Sequence, residues 1–85
     1  MTPEQIKAVQ RVSLVLLETI EAEGDLGAPS GPMFAALQTQ GCTMSQYQQL
    51  MGQLEHRGFV TRSDHCYTIT PAGKNFRAKL QKAVA

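Results

Sequence analysis

Cys42, His56, His65 and Cys66 are, methionines aside, the side chains of this 85-residue chain with the chemistry of soft metal ligands or of a thiol nucleophile and its base. Structural zinc sites draw their ligands in short-spaced pairs, and these four residues do not fall into that pattern. A cysteine nucleophile needs a thiol, a base and an oxyanion site in one pocket, for which a chain this short has little room. The expectation is no bound metal, no cofactor and no catalysis. With no C-x-x-C motif, both thiols are expected to be reduced. Alternation along a strand would turn Tyr67 and Ile69 inward and Cys66 outward, where it would be either a redox-sensing thiol or an inert one.

Hydrogen-bonding chemistry is more plentiful. Ser45, Gln46, Gln48, Gln49 and Gln53 form a cluster that is polar without being charged. Formal charge is divided along the chain: up to His56 the acids Glu4, Glu18, Glu21, Glu23, Asp25 and Glu55 face only Lys7 and Arg11, a balance of −4. From Arg57 onward Arg57, Arg62, Lys74, Arg77, Lys79 and Lys82 face Asp64 alone, a balance of +5. A basic end fits an anionic partner, and it also fits lysines on a solvated helix face.

The elements that must carry these residues are readable from spacing. Thr2-Pro3-Glu4-Gln5 is a capping box with proline at the first helical position, so a helix begins almost at once. Ile6, Val9, Val12, Leu16 and Ile20 follow steps of three and four, and Leu14, Val15 and Leu17 widen the stripe beyond one face. A helix this apolar is covered on two sides, either within its own core or by a second copy, and Val9, Val12, Leu16 and Ile20 are the expected homodimer contacts. Gly24 to Pro29 is a breaker, after which Ser30 is expected to cap a second helix with Pro32 in its first turn and Met33, Phe34 and Leu37 buried. Gly41 suits a sharp turn, with Cys42 tucked inward. Two overlapping capping boxes start a third helix at Met44 or Gln46, and Tyr47, Leu50, Met51 and Leu54 are its core side. Gly58 ends it. Two β-prone runs, Phe59 to Thr61 and Cys66 to Thr70, surround the turn Arg62 to His65 and predict a hairpin, and Thr70-Pro71 opens a last helix that buries Phe76 and Leu80.

Hydrophobic residues make up 42% and charged residues 18%, enough apolar material for one core and too little charge for a disordered tail. The richest apolar stretch, Val12 to Ile20, is broken by Ser13, Glu18 and Thr19, so no membrane span is predicted. Met1 to Gln10 has no apolar core of a signal peptide, and a cytoplasmic location is expected. The predicted fold is one domain over residues 1–85, mainly α with a small β-hairpin: a winged helix-turn-helix.

Leu54-Glu55-His56-Arg57-Gly58-Phe59-Val60-Thr61-Arg62, followed by Tyr67-Thr68-Ile69-Thr70-Pro71-Ala72-Gly73, resembles the helix-to-wing segment of MarR- and PadR-like winged-helix transcription regulators. The likeness covers roughly a third of the chain. It implies a recognition helix over Met44 to Arg57 that enters the major groove of double-stranded DNA, with base contacts from Ser45, Gln46, Gln49 and Gln53 and with Gln48 at the margin. Glutamine can bond the N6 and N7 edge of adenine, and serine can bond either base type. Phosphate contacts would come from Arg57, Arg62, His65 and Lys74. A dimer would set two such helices in successive grooves, with half-sites about 10 base pairs apart. The alternative is a winged helix that binds a protein partner through its acidic, apolar first helix and its neutral glutamine-rich helix.

Overall fold

The computed structural model describes residues 2–84; the outermost residues of the expected domain, Met1 and Ala85, lie outside it. Helix α1 (Pro3–Glu23) opens on the expected capping box, in which the Thr2 hydroxyl accepts from the Gln5 amide at 3.2 Å and the Gln5 carbonyl oxygen accepts from the Thr2 amide at 2.9 Å. Two of the four orphan amides of a helix start are thereby satisfied. A short 3-10 turn (Gly24–Leu26) follows, then β1 (Ala28–Pro29), α2 (Ser30–Gln38), α3 (Met44–His56), β2 (Val60–Ser63), β3 (Cys66–Ile69) and α4 (Pro71–Val84). The molecule is mainly helical, with one small three-stranded antiparallel sheet in the order β1-β3-β2. No described helix is long and apolar enough to cross a membrane.

Strand β1 is a departure from the sequence reading, which treats Ala28-Pro29 as part of a breaker. It pairs with β3 as Ala28 with Tyr67 and Pro29 with Cys66. Proline is tolerated because β1 is an edge strand only two residues long, and one face of its backbone needs no partner. Gly27 permits the approach: at φ 81° it brings the chain so close to β3 that a Cβ would sit 3.0 Å from the Cys66 Cβ.

Ser30, expected as the cap of α2, is instead its first helical residue, and Pro29 holds the cap position without a side-chain bond. The serine is used across the fold. Its amide donates to the His65 carbonyl at 2.8 Å and its hydroxyl lies 2.9 Å from the Tyr47 hydroxyl, so the start of α2 is tied to both the hairpin and α3. Between α2 and α3 the chain reverses at Gly41, whose φ of 88° few other residues adopt. The choice between two starts for α3 resolves to Met44: the Thr43 hydroxyl accepts from the Gln46 amide at 3.1 Å, and the Gln46 carbonyl oxygen accepts from the Thr43 amide at 3.0 Å.

At the far end of α3 the amides of Gly58 and Phe59 donate to the carbonyls of Glu55 and Leu54 at 3.0 and 2.9 Å, a Schellman arrangement that uses the φ of 79° at Gly58. Strands β2 and β3 then pair from Val60 with Ile69 to Ser63 with Cys66. The two-residue turn Asp64-His65 closes them, with Asp64 at φ 57°. Thr70 joins the sheet to α4, donating from its hydroxyl to the Gly58 carbonyl at 2.6 Å and accepting from the Gly73 amide at 3.0 Å.

Leu16, Leu17, Ile20, Leu37, Met51 and Val60 are fully buried at the centre, where α1, α2, α3 and the sheet meet. This corrects the expected dimer surface. Leu16 and Ile20 are 1% and 0% exposed, and the chain's own core accounts for them, whereas Val9 is 42% exposed and Val12 is half-buried. The widened stripe of α1 is thus divided between an interior side and an outer one. Helix α4 lies against α1, fastened by the Arg77 to Glu21 ion pair at 2.7 Å, and is held to the link between α3 and β2 by Phe76 stacked on Phe59 with centroids 4.3 Å apart. The Arg77 Nε meets the carboxylate as a charge contact without the alignment of a hydrogen bond.

Candidate nucleic-acid interface

Helix α3 is the element on which most of the expected contacts fall. Tyr47, Met51 and Leu54 are buried and Leu50 is half-buried, which fixes the rotation of the helix. At 100° per residue the opposite side carries Ser45, Gln49, Gly52 and His56, all exposed and covered by no other element. Rotation is held by more than apolar packing. Tyr47 stacks obliquely on Phe34 at 5.5 Å, and its hydroxyl reaches both the Ser30 hydroxyl and, at 3.3 Å, the Ser30 carbonyl. Burial pushes the Tyr47 phenol up from its ordinary pKa, with the Ser30 hydrogen bond opposing.

The four expected base-contacting residues separate into two pairs. Ser45 and Gln49 stand on the outward face. Gln46 and Gln53 turn toward α1 and line, with Ala8, Val9, Val12 and Leu50, a hollow of about 440 Å³ that Gln49 also borders. Gln46 is further committed because its carbonyl oxygen completes the cap of α3. A bidentate contact to adenine uses the amide oxygen and nitrogen together, so Gln46 could make it only by releasing that cap. Gln48, marginal in the sequence reading, is exposed on the other flank beside the hairpin, and like Gln49 its amide makes no hydrogen bond among the described residues. The signals for both residues were available in the sequence: Thr43 three residues before Gln46 identifies the cap, and one step of 100° past the buried Tyr47 places Gln48 on the rim.

The expected phosphate contacts also fall into two groups. Arg62 on β2 borders a hollow of about 460 Å³ together with Gln48, Gly52 and Glu55 of α3 and the start of α2. His65 is exposed at the hairpin turn. At the C-terminal end of α3, Arg57 occupies the C-cap, and the first turn of α4, anchored on Gly58 and Phe59, carries exposed Lys74. Gly73 makes that anchoring possible: a Cβ there would collide with the Phe59 carbonyl oxygen and come within 2.8 Å of the Ile69 Cγ1. Cations therefore stand at the C-terminal end of α3 and along its hairpin flank, and α3 itself contributes none before Arg57. Glu55 shares the hollow with Arg62, and its carboxylate weakens the pull of that arginine on an anion.

No family model, curated protein or solved structure matches the chain.

Cys66, read as an outward thiol, is half-buried between β1 and β2 rather than free on a strand face. Cys42 is half-buried in the turn before α3, in keeping with the inward placement expected of it.

Proposed function

We propose that this chain is a winged helix that binds double-stranded DNA as a homodimer in the cytoplasm, laying the outward face of α3 in the major groove. The element order α1-β1-α2-α3-β2-β3-α4 and the strand order β1-β3-β2 support the winged-helix reading: two helices joined by a tight turn, with a hairpin directly behind the second. The observation that carries the functional reading is the uncovered face of α3, which offers hydrogen-bonding groups without charge and has cations at its C-terminal end and along its hairpin flank.

The work is divided between the two kinds of group. Arg62 and His65 on one side, and Arg57 and Lys74 on the other, meet phosphates and fix the register of the helix without reading sequence. Gln48 and Gln49 carry free amides able to pair with adenine, and Ser45 adds a hydroxyl that accepts or donates. Gln46 serves the cap of α3 and Gln53 faces α1, so neither is a reader in this proposal. Arg57, Arg62 and Lys74 of each protomer make about six cations in a dimer, and counterion release then gives a slope of log K against log salt of about −5.

Fluorescence anisotropy of a labelled mixed-sequence duplex at two salt concentrations tests this. Binding in the micromolar range or tighter that weakens steeply with salt is the expected result. A second reading is favoured by the apolar hollow between α1 and α3 and by Glu55 beside Arg62: a winged helix that binds a protein partner and leaves DNA alone. Absence of duplex binding at low salt decides for it.

A further inference from the structure

We propose that α1 pairs antiparallel with α1 of a second copy, along a seam made by Gln5, Ala8, Val12, Val15, Thr19 and Ala22. The inference rests on the homodimer reading above and is independent of DNA. These six residues alternate steps of three and four, the spacing of a helix-to-helix seam, and they share a band beside the core-facing side of α1. Val15 is 45% exposed, Val12 is half-buried, and Gln5, Ala8, Thr19 and Ala22 are exposed. None carries a charge. The Thr19 hydroxyl donates to the Val15 carbonyl at 2.8 Å, which satisfies it within the helix and leaves its methyl group for contact. Alanine, valine and threonine side chains are short, so a second helix can approach closely.

Charge selects both the occupant and its direction. Arg11 and Glu18 flank the seam on one side, both exposed, and neither meets an opposite charge among the described residues. In an antiparallel pair with its two-fold axis between residues 13 and 14, Val12 packs on the partner's Val15, Ala8 on the partner's Thr19 and Gln5 on the partner's Ala22. That register brings Arg11 alongside the partner's Glu18, and symmetry repeats the contact. Val9, 42% exposed, gains cover on the other flank. A parallel pair would instead set Glu18 beside the partner's Glu23, carboxylate against carboxylate. The seam from Gln5 to Ala22 is about 26 Å long at 1.5 Å per residue, and two shallow hollows border it, one toward α2 and one toward α3.

Charge reversal read by light scattering and sedimentation without DNA is the test. Wild type should weigh twice the 9.3 kDa of one chain. Arg11→Glu alone, or Glu18→Arg alone, should weaken the dimer about tenfold or more, because two attractive pairs become two repulsive ones. An equimolar mixture of the two variants should recover the dimer, as should the chain carrying both substitutions. Both positions of the exchange are on the surface, and circular dichroism checks that each variant is folded. A dimeric wild type whose mass is indifferent to every reversal would overturn the antiparallel register and leave the homodimer reading standing. A wild type that stays monomeric at millimolar concentration would overturn both.

Discussion

Substituting Gly73 with alanine should destabilise this protein, although glycine to alanine within a helix ordinarily does the reverse. Alanine is favoured over glycine by about 1 kcal/mol at an unhindered helical position. Gly52, exposed in the middle of α3 with nothing within 4 Å of where a Cβ would project, is such a position. Gly73 is in the first turn of α4, and its added Cβ would strike the Phe59 carbonyl oxygen, meet Ile69 Cγ1 at 2.8 Å and meet the Phe59 carbonyl carbon at 3.0 Å. Two of these three atoms are backbone, held by the Schellman turn after α3, and cannot swing aside as a flexible side chain would.

Overpacking of this kind costs about 1 to 3 kcal/mol and sometimes more, so after the helix-propensity gain the net loss should be near 2 kcal/mol. For a domain of this size that is a fall in Tm of about 8 to 16 °C. With a urea m-value on the order of 1 kcal/mol/M, the midpoint should drop by about 2 M, while Gly52→Ala should raise it by about 1 M. Urea melts of the three proteins, followed by circular dichroism, give the comparison. If Gly73→Ala melts at or above the wild-type midpoint, α4 does not press on Phe59 and the anchoring of Lys74 near α3 is wrong.

Further outcomes follow from other contacts. Tyr47→Phe keeps the ring on Phe34 but removes its bonds to Ser30, and should cost about 1 kcal/mol in the same assay. The Tyr47 phenol is raised in the fold, so its neutral form is the one the fold favours: that stability is fully present below the unfolded value and is lost as pH rises through the folded pKa. Wild type should therefore lose more stability than Tyr47→Phe in strongly alkaline solution, as melts at stepped pH would record. Thr43→Ala removes the acceptor at the start of α3 and should cost about 1 kcal/mol, with Gln46→Ala costing less because its backbone amide still has the threonine hydroxyl. Leu16→Ala should cost about 2 to 5 kcal/mol because that side chain is interior, while Val15→Ala, at an exposed position, should leave the unfolding of the isolated protomer nearly unchanged.

The helices and the hairpin were legible because local chemistry and packing agree at their ends. Thr2 and Thr43 each begin a capping box, Gly41 and Gly58 both take positive φ, and Thr70-Pro71 opens α4 as expected. Strand β1 was not legible, since two residues containing a proline carry no alternation and pair only because β3 lies beside them. Ser30 has the type of a cap, yet a tertiary contact with Tyr47 claims its hydroxyl, and no spacing rule anticipates a partner 17 residues away. Within α1, apolar character identifies residues that prefer cover but not which cover they find. Leu16 and Ile20 differ from Val9 only in lying over the core rather than beyond it. On α3 the glutamines are chemically alike, and rotation alone sets Gln48 on the hairpin flank and Gln53 toward α1 with Gln49 between them, while the cap claims Gln46.

Amide chemical-shift mapping of the labelled protein against a duplex bearing a selected binding sequence tests whether the outward face of α3 meets DNA. The shifts should gather on Ser45, Gln48 and Gln49 of α3 and on Arg62 and His65 of the hairpin, with Ala8, Val9 and Val12 of α1 undisturbed. Shifts confined to α1 and the hollow beside Gln53, or no shift at saturating duplex and low salt, would contradict it.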